Sequence, residues 1–516
     1  MGEQIRGRIL NRSELLAFAS EINQRYIQSV VDRFQKIYPI EHEDPKILDA
    51  GIEIETTLVD AHNNPAPIFE ELEKVLGKGV ITGEKVNFQA EVKTNPKKLF
   101  GLHDSLDEVI CGIKDILNPL HYAAQEFGAT ALLMGGYPLY NEEATKFLFK
   151  SPRFDAFGEM LSPLAQDAII PFVDGSAQTY RNNIWAGFAT NTQTTIKVPH
   201  SATQLYYNAA YVLGPLLFAV SASSPLVEGK LTMYDSARIH LNPPATYGFT
   251  QEDFERGRPN RWRALEPMIE NTENPQWFNQ EMYEALIKIR VPSPIAQYFG
   301  TIAADGHIVI TEEDVAGQEK DFPEVNSWPF VKLKYKDVMD AKGIGIELRM
   351  NEMPRNAEEM AAFNLTQMAM LQGIVEEMQK DSLQPLASQY VERNMTESSL
   401  HNSHSYKKCI WPYRNGTPVA IKSFPDLFEY LGKLSVDVLK RYGHTETDIK
   451  EIINPVLTKA GVLYQGKGYF KNIQPEPTPA QLMRKIAYTE QPNMEKGEKI
   501  LPATLHAVLE PFTYKP

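Results

Sequence analysis

The chain has 516 residues, with 66 acidic and 52 basic side chains and a formal net charge of −14. A composition of 43% hydrophobic, 23% charged and 10% aromatic residues is that of a globular protein and excludes a disordered, collagen-like or coiled-coil chain. The acidic balance, with no lysine or arginine block longer than a pair, speaks against a nucleic-acid partner, and the apolar run around Leu216–Val220 is far shorter than a membrane span.

At the N-terminus no apolar segment of signal-peptide type follows Met1, and the two cysteines, Cys111 and Cys409, allow at most one disulfide. Both features predict a cytoplasmic protein without a membrane partner. Residues 11–38 carry Leu15, Phe18, Ile22, Tyr26, Val30 and Phe34 at helical spacing, with Asn11 and Glu14 placed as a capping box. Gly51–Asp60 then alternates: Ile52, Ile54 and Leu58 point one way, Glu53 and Glu55 the other. Val86–Val92 repeats the pattern, with Val86, Phe88, Ala90 and Val92 opposite Asn87, Gln89 and Glu91. A helix is predicted over 104–126, with Cys111 as a buried small hydrophobe in it. Gln193, Thr195 and Lys197 alternate with Thr194, Ile196 and Val198.

A helix over 202–220 contains Pro215, which predicts a kink or break there. Ser221–Pro225 reads as its terminating turn. Ser236, Arg238 and His240 alternate with Ala237, Ile239 and Leu241, which predicts a further strand. Loops are expected at 242–248 and 472–480. Ile344, Ile346, Leu348 and Met350 oppose Gly345, Glu347 and Arg349 in the last strand. Helices follow over 357–380, 424–442 and 479–487. The expected organisation is an N-terminal helical segment (1–47), a catalytic core (48–380) and a mainly helical C-terminal portion (381–516). His401 and His404 lack partner ligands at zinc spacing and read as a polar loop. Cys409, before Ile410 and Trp411, reads as a buried hydrophobe.

Five strands thus pair an apolar face with a polar one. A sheet with one solvated face would account for this, but Glu53, Glu55 and Glu91 come with little lysine in the strands read here. Glu-x-Glu sets two carboxylates about 6.6 Å apart on one face. That spacing suits two neighbouring divalent ions or one shared ion, and Mg²⁺ or Mn²⁺ would relieve the repulsion. Arg238 and Arg349 on such a face suit a polyphosphate. The chain has no phosphate-binding P-loop motif, no Gly-x-Gly-x-x-Gly and no Gly-x-Ser-x-Gly elbow.

Several segments occur in the order found in one family. They are Gly51-Ile-Glu-Ile-Glu55, Phe88-Gln-Ala-Glu91 with Thr94-Asn-Pro96, Gln193-Thr-Thr-Ile-Lys197, Pro215 to Pro225 with Ser236-Ala-Arg238, Ile346-Glu-Leu-Arg349 and, weakly, Trp411 to Gly416. The chain resembles the bacterial- and plant-type glutamate–cysteine ligases and their carboxylate–amine ligase relatives in the glutamine synthetase superfamily. The resemblance implies an α+β fold with a curved antiparallel sheet, backed by helices, whose concave face binds ATP and two or three Mg²⁺. It implies Glu53, Glu55, Glu91, Gln193 and Glu347 as metal ligands, and Arg238 and Arg349 as phosphate contacts and catalytic residues. Thr195 and Lys197 depart from the family's His-x-His or Gln-x-Asn. Lys197 then meets either a phosphate or substrate carboxylate, as a cofactor-binding residue, or solvent.

The activity implied is an ATP-dependent ligase forming an amide through an acyl phosphate, most simply from the γ-carboxylate of glutamate and an amino group, as in glutathione biosynthesis. Its partners are small molecules, with a homo-oligomer allowed. A guanidino-kinase-like phosphotransferase, a non-catalytic metabolite-binding homologue and an unrelated sheet protein with a solvated acidic face are the other readings.

Overall fold

The computed structural model describes residues 8, 10–40, 42–148, 167–180, 187–241, 266–269, 278–304, 312, 329–335, 338–400, 409–412, 418–421, 423–460 and 476–516. Its centre is a seven-stranded sheet in which every neighbouring pair is antiparallel. The strands are β1 (Asp49–Asp60), β2 (Thr82–Gly83), β3 (Gln89–Lys93), β4 (Ala129–Leu132), β5 (Thr192–Val198), β6 (Val331–Lys334) and β7 (Ile344–Leu348). They are ordered β6-β7-β5-β1-β3-β2, and β4 pairs with the far end of β1.

Strand parity decides what faces where. Along β1 the residues alternate between buried and half-buried from Asp49 to Glu55, as the sequence alternation predicts. The register sets Glu53 opposite Gln193 and Gly51 opposite Thr195, then Glu347 opposite both Thr195 and Lys332. All these residues therefore share one face. Ile52, Ile54, Ile196, Val198, Leu333, Ile344 and Ile346 share the other, and enter one core with the helices Thr203–Ser221 and Ala357–Gln379. Fully burying each such aliphatic side chain contributes about 1.5–3 kcal/mol. Tyr26, Val30 and Phe34 of the Ala19–Gln35 helix join the same core, as do Leu431 and Ile452 of the helices Phe424–Arg441 and Glu446–Lys459.

The N-terminal capping box forms: Asn11 Oδ1 accepts from the Glu14 amide at 3.1 Å, and Glu14 Oε2 from the Asn11 amide at 2.8 Å. The predicted single helix is divided in two at Phe18, into Arg12–Ala17 and Ala19–Gln35. The helix over 104–126 is found at Leu106–Glu126, capped by Ser105 and Glu108. Of the kink or break expected at Pro215, no break occurs: the Thr203–Ser221 helix runs through it, held by packing that buries both sides of it. Three sequence expectations are corrected. Cys111 is exposed, because it falls on the outer side of its helix. Residues 86–88 are not strand: the Gln89 amide donates to the Val86 carbonyl at 3.1 Å, a turn that delays β3. Residues 236–241 form no strand either: Arg238–Leu241 is one helical turn, in which the Ala237 carbonyl accepts from the amides of His240 and Leu241. Among the described residues, this alternation pairs with no strand beyond the single bridge of Ser236 to Ser224.

The expected loop at 242–248, His401 and His404, and residues 413–417 lie outside the described residues. Of 472–480, the described part is irregular over 476–478 and helical from Pro479. Among the described residues, no helix is long and apolar enough to cross a membrane.

Candidate active site

The polar face carries three charge clusters. In the first, Glu55 of β1 lies directly opposite Glu91 of β3. Like charges in that position repel unless something sits between them. Glu84, from the turn between β2 and β3, joins them: one oxygen of each carboxylate lies within 4.8 Å of the others. Glu55 Oε1 accepts from Gln193 Nε2 at 2.8 Å and Oε2 from the Asn191 amide at 3.0 Å. Lys93 Nζ stands 3.2 Å from Glu91 Oε1. Burial and the charge of Glu91 push Glu55 up to about 8, with Arg238 and Arg349 acting against them. Three hard oxygen donors so close together, around a carboxylate that resists ionisation, fit a divalent cation such as Mg²⁺ or Mn²⁺.

The second cluster centres on β7, two strands from β1. Glu347 of β7 has no exposed side-chain surface, and both its oxygens face cations: Lys334 Nζ lies 2.6 Å from Oε1, and Arg349 Nη1 bonds Oε2. Lys334 Nζ also lies 3.7 Å from Glu53 Oε1. Burial opposes the charge on Glu347, but Arg349 and Lys334 outweigh it and hold this carboxyl well below its ordinary range. Lys334 is held above its own range in the same way, by Glu347 and Glu53 against burial. This cluster is already neutralised by side chains and does not fit a further cation.

The third cluster fixes Arg238. Its guanidinium is buried, with Nε 3.7 Å from Glu352 Oε1 and Nη2 3.3 Å from the Met350 carbonyl. With its amide oriented to satisfy both neighbours, Asn191 donates to Glu55 Oε2 at 3.0 Å and accepts from Arg238 Nη1 at 2.8 Å. Glu352 is fully buried; it accepts from the hydroxyls of Ser224 at 2.9 Å and Ser223 at 3.2 Å, from the Ser223 amide and from the Ser236 hydroxyl. The Ser221–Pro225 turn does end its helix, as predicted, and its hydroxyls and amide also form the cradle of this carboxylate. Gly135 completes the cradle, because a Cβ there would overlap Glu352. Asp235, next to Ser236, is tied to Arg484 of the Pro479–Glu490 helix at 2.9 Å, a buried pair.

The structure thus gathers Glu53, Glu55, Glu91, Gln193, Glu347, Arg238 and Arg349 around one face, with their roles divided among the clusters. Lys197 shares the face by register, but its Nζ is 2.6 Å from Asp340 Oδ2. Sequence reasoning missed Glu84, Lys334 and Glu352. Lys334 corrects the reading that the acidic face has little lysine: β6 was not recognised, and it brings the ammonium in. Cys409 is buried, as expected, and burial pushes its thiol up to about 12.

Comparison with known proteins bears on this face directly. The "Putative glutamate--cysteine ligase 2" of Paracidovorax citrulli is 25% identical over 225 residues, 42% of this chain and 53% of that protein. The protein of the same name from Polaromonas naphthalenivorans is 25% identical over 218 residues, 40% of this chain and 51% of that one. The match therefore spans about half the length of each relative. The crystal structure of a glutamate–cysteine ligase from Francisella tularensis in complex with AMP aligns with a TM-score of 0.47 at 12% identity, over 91% of this chain and 93% of that one. Residues 50–280, which supply Glu53, Glu55, Glu84, Glu91, Gln193 and Arg238, match the family described as glutamate-cysteine ligase family 2, the family whose motifs the sequence resembles.

Proposed function

We propose that the protein is an ATP-dependent carboxylate–amine ligase that joins the γ-carboxylate of glutamate to an amino group. The observation that carries this reading is the opposed pair Glu55 and Glu91, closed by Glu84, on the face that also presents Arg349 and Arg238. Glu55, Glu84 and Glu91 would hold a divalent cation, which would supply positive charge for the phosphates of ATP. The glutamate carboxylate attacks the γ-phosphorus and releases ADP; the amine then attacks the acyl carbon, loses a proton and expels phosphate. Arg349, the less buried of the two arginines, holds its guanidinium toward the transferring oxygens and is anchored from behind by Glu347. Arg238 is oriented by Glu352 and Asn191 and contributes positive charge from beneath Glu55. The division into segments 1–47, 48–380 and 381–516 belongs to the same proposal, with the chemistry in the middle one.

The test is ATP turnover with Mg²⁺ and L-glutamate across a panel of amino acids and polyamines, with product detection by mass. An amide product of one glutamate and one amine is expected. ADP without amide would assign a phosphotransferase, and nucleotide binding without turnover a non-catalytic homologue.

A further inference from the structure

We infer that the ammonium of Lys334 takes the place of a divalent cation between Glu53 and Glu347, so that this polar face holds one such ion, at Glu55, Glu84 and Glu91. The inference rests on the cation site of the proposed function. It departs from the two or three ions that the family resemblance implies and from Glu53 and Glu347 as ligands.

Lys334 Nζ lies 2.6 Å from Glu347 Oε1 and 3.7 Å from Glu53 Oε1. Arg349 takes the other oxygen of Glu347. Two carboxylates are thus matched by two fixed cations, and a divalent ion added between them would leave the buried cluster with uncompensated positive charge. The backbone makes room for the lysine. Lys334 is paired across the sheet with Gly345, and a Cβ on Gly345 would stand 3.0 Å from Lys334 Cβ. The next strand offers no replacement donor of comparable strength: Thr195, opposite Glu347, presents a neutral hydroxyl. The Glu55 cluster differs in each respect. Its three carboxylates converge on one another, and its lysine, Lys93, reaches Glu91 from one side.

The experiment is a titration of the full chain with Mn²⁺ alone, counting free ion by electron paramagnetic resonance. Wild type should bind one Mn²⁺ per chain, Lys334→Met two, and Glu84→Gln none. Should Lys334→Met fail to fold, Lys334→Gln removes the charge while keeping a donor for Glu347, and the same gain of one ion is expected. Two ions on the wild-type chain, or no gain on replacing Lys334, overturns the inference and leaves the ligase reading standing. A wild-type chain that binds no Mn²⁺ removes the Glu55 site and the proposed function with it. The single-ion count falls with it, and a gain of one ion on replacing Lys334 keeps only the substitution of lysine for cation between Glu53 and Glu347; no gain overturns that as well.

Discussion

Glu55, half-buried, and Glu347, fully buried, are glutamates on the same sheet face, two strands apart, and it is the more buried one that is held ionised. Burial and Glu91 push Glu55 up to about 8. Glu347 is held far below the carboxylate range, because Arg349 and Lys334 outweigh the burial that opposes its charge. The difference lies in which residues the neighbouring strands supply: β3 sets another carboxylate opposite Glu55, whereas β6 and the end of β7 bring a lysine and an arginine to Glu347. One end of the face gathers carboxylates against one another, and the other sets cations on both oxygens of its carboxylate. A Glu-x-Glu strand is therefore not by itself a two-ion site.

The comparison breaks first at Glu55. Glu55→Gln or Glu91→Gln keeps shape but removes a hard anionic ligand, and turnover of the ligase reaction should fall about 10³-fold or more, roughly 4 kcal/mol. Full turnover and unchanged Mn²⁺ affinity in both variants would dissolve the distinction between the two ends. At the other end, Arg349→Lys exchanges a two-pronged guanidinium for a point charge. A fall in turnover of about 10²-fold, near 3 kcal/mol, is expected. If only the KM for ATP rises, Arg349 acts in binding alike before and at the transition state.

Glu352→Gln sharpens the contrast by touching neither end directly. It weakens hydrogen bonds from Ser223, Ser224 and Ser236 to a charged acceptor and leaves Arg238 without its counter-charge, so unfolding free energy should drop by about 2 kcal/mol in a denaturant titration. An unchanged midpoint and slope would mean that the buried carboxyl is neutral in the folded protein. The smallest effect is expected for Lys197→Ala. Its ammonium already meets Asp340, a half-exposed carboxylate, so stability should change by less than about 1 kcal/mol. KM for ATP and glutamate should stay within about threefold; a tenfold rise, about 1.4 kcal/mol, would return Lys197 to the substrate.

How much of this face could be read in advance depended on the length of each pattern. Asp49–Asp60 is twelve residues long, and its alternation identified Glu53 and Glu55 and the buried face together. Val331–Lys334 is a strand of four, with too few turns of the pattern to be told from a loop, and Lys334 went unread with it. Glu352 sits just beyond a strand, with nothing local to mark it as buried; its three serines come from more than a hundred residues earlier. Glu84 was missed for the same reason, since its partner Glu55 is fixed only once β1 and β3 pair. The false strand at 236–241 shows the converse, since six alternating residues satisfy a pattern and yet, among the described residues, pair with no strand beyond a single bridge. Arg238 nevertheless reaches the face, carried there by the Glu352 cradle.

The buried pair between Arg484 and Asp235 has a bearing on how the molecule can be cut. Residues 50–280 resemble the family, yet β6 and β7 lie beyond that segment, and Arg484, further on still, braces the residue next to Ser236. An excised fragment ending near residue 280 would keep four of its glutamates but lose the edge of the sheet, Lys334, Glu347, Arg349 and the Glu352 anchor of Arg238. Even a truncation that removed only the last helices, from Pro479, would strip Asp235 of the Arg484 guanidinium that neutralises it beside the serine cradle. The stretch that can be recognised by similarity is thus smaller than the stretch that can fold into the site, and expression boundaries drawn from similarity alone would fall inside the working unit.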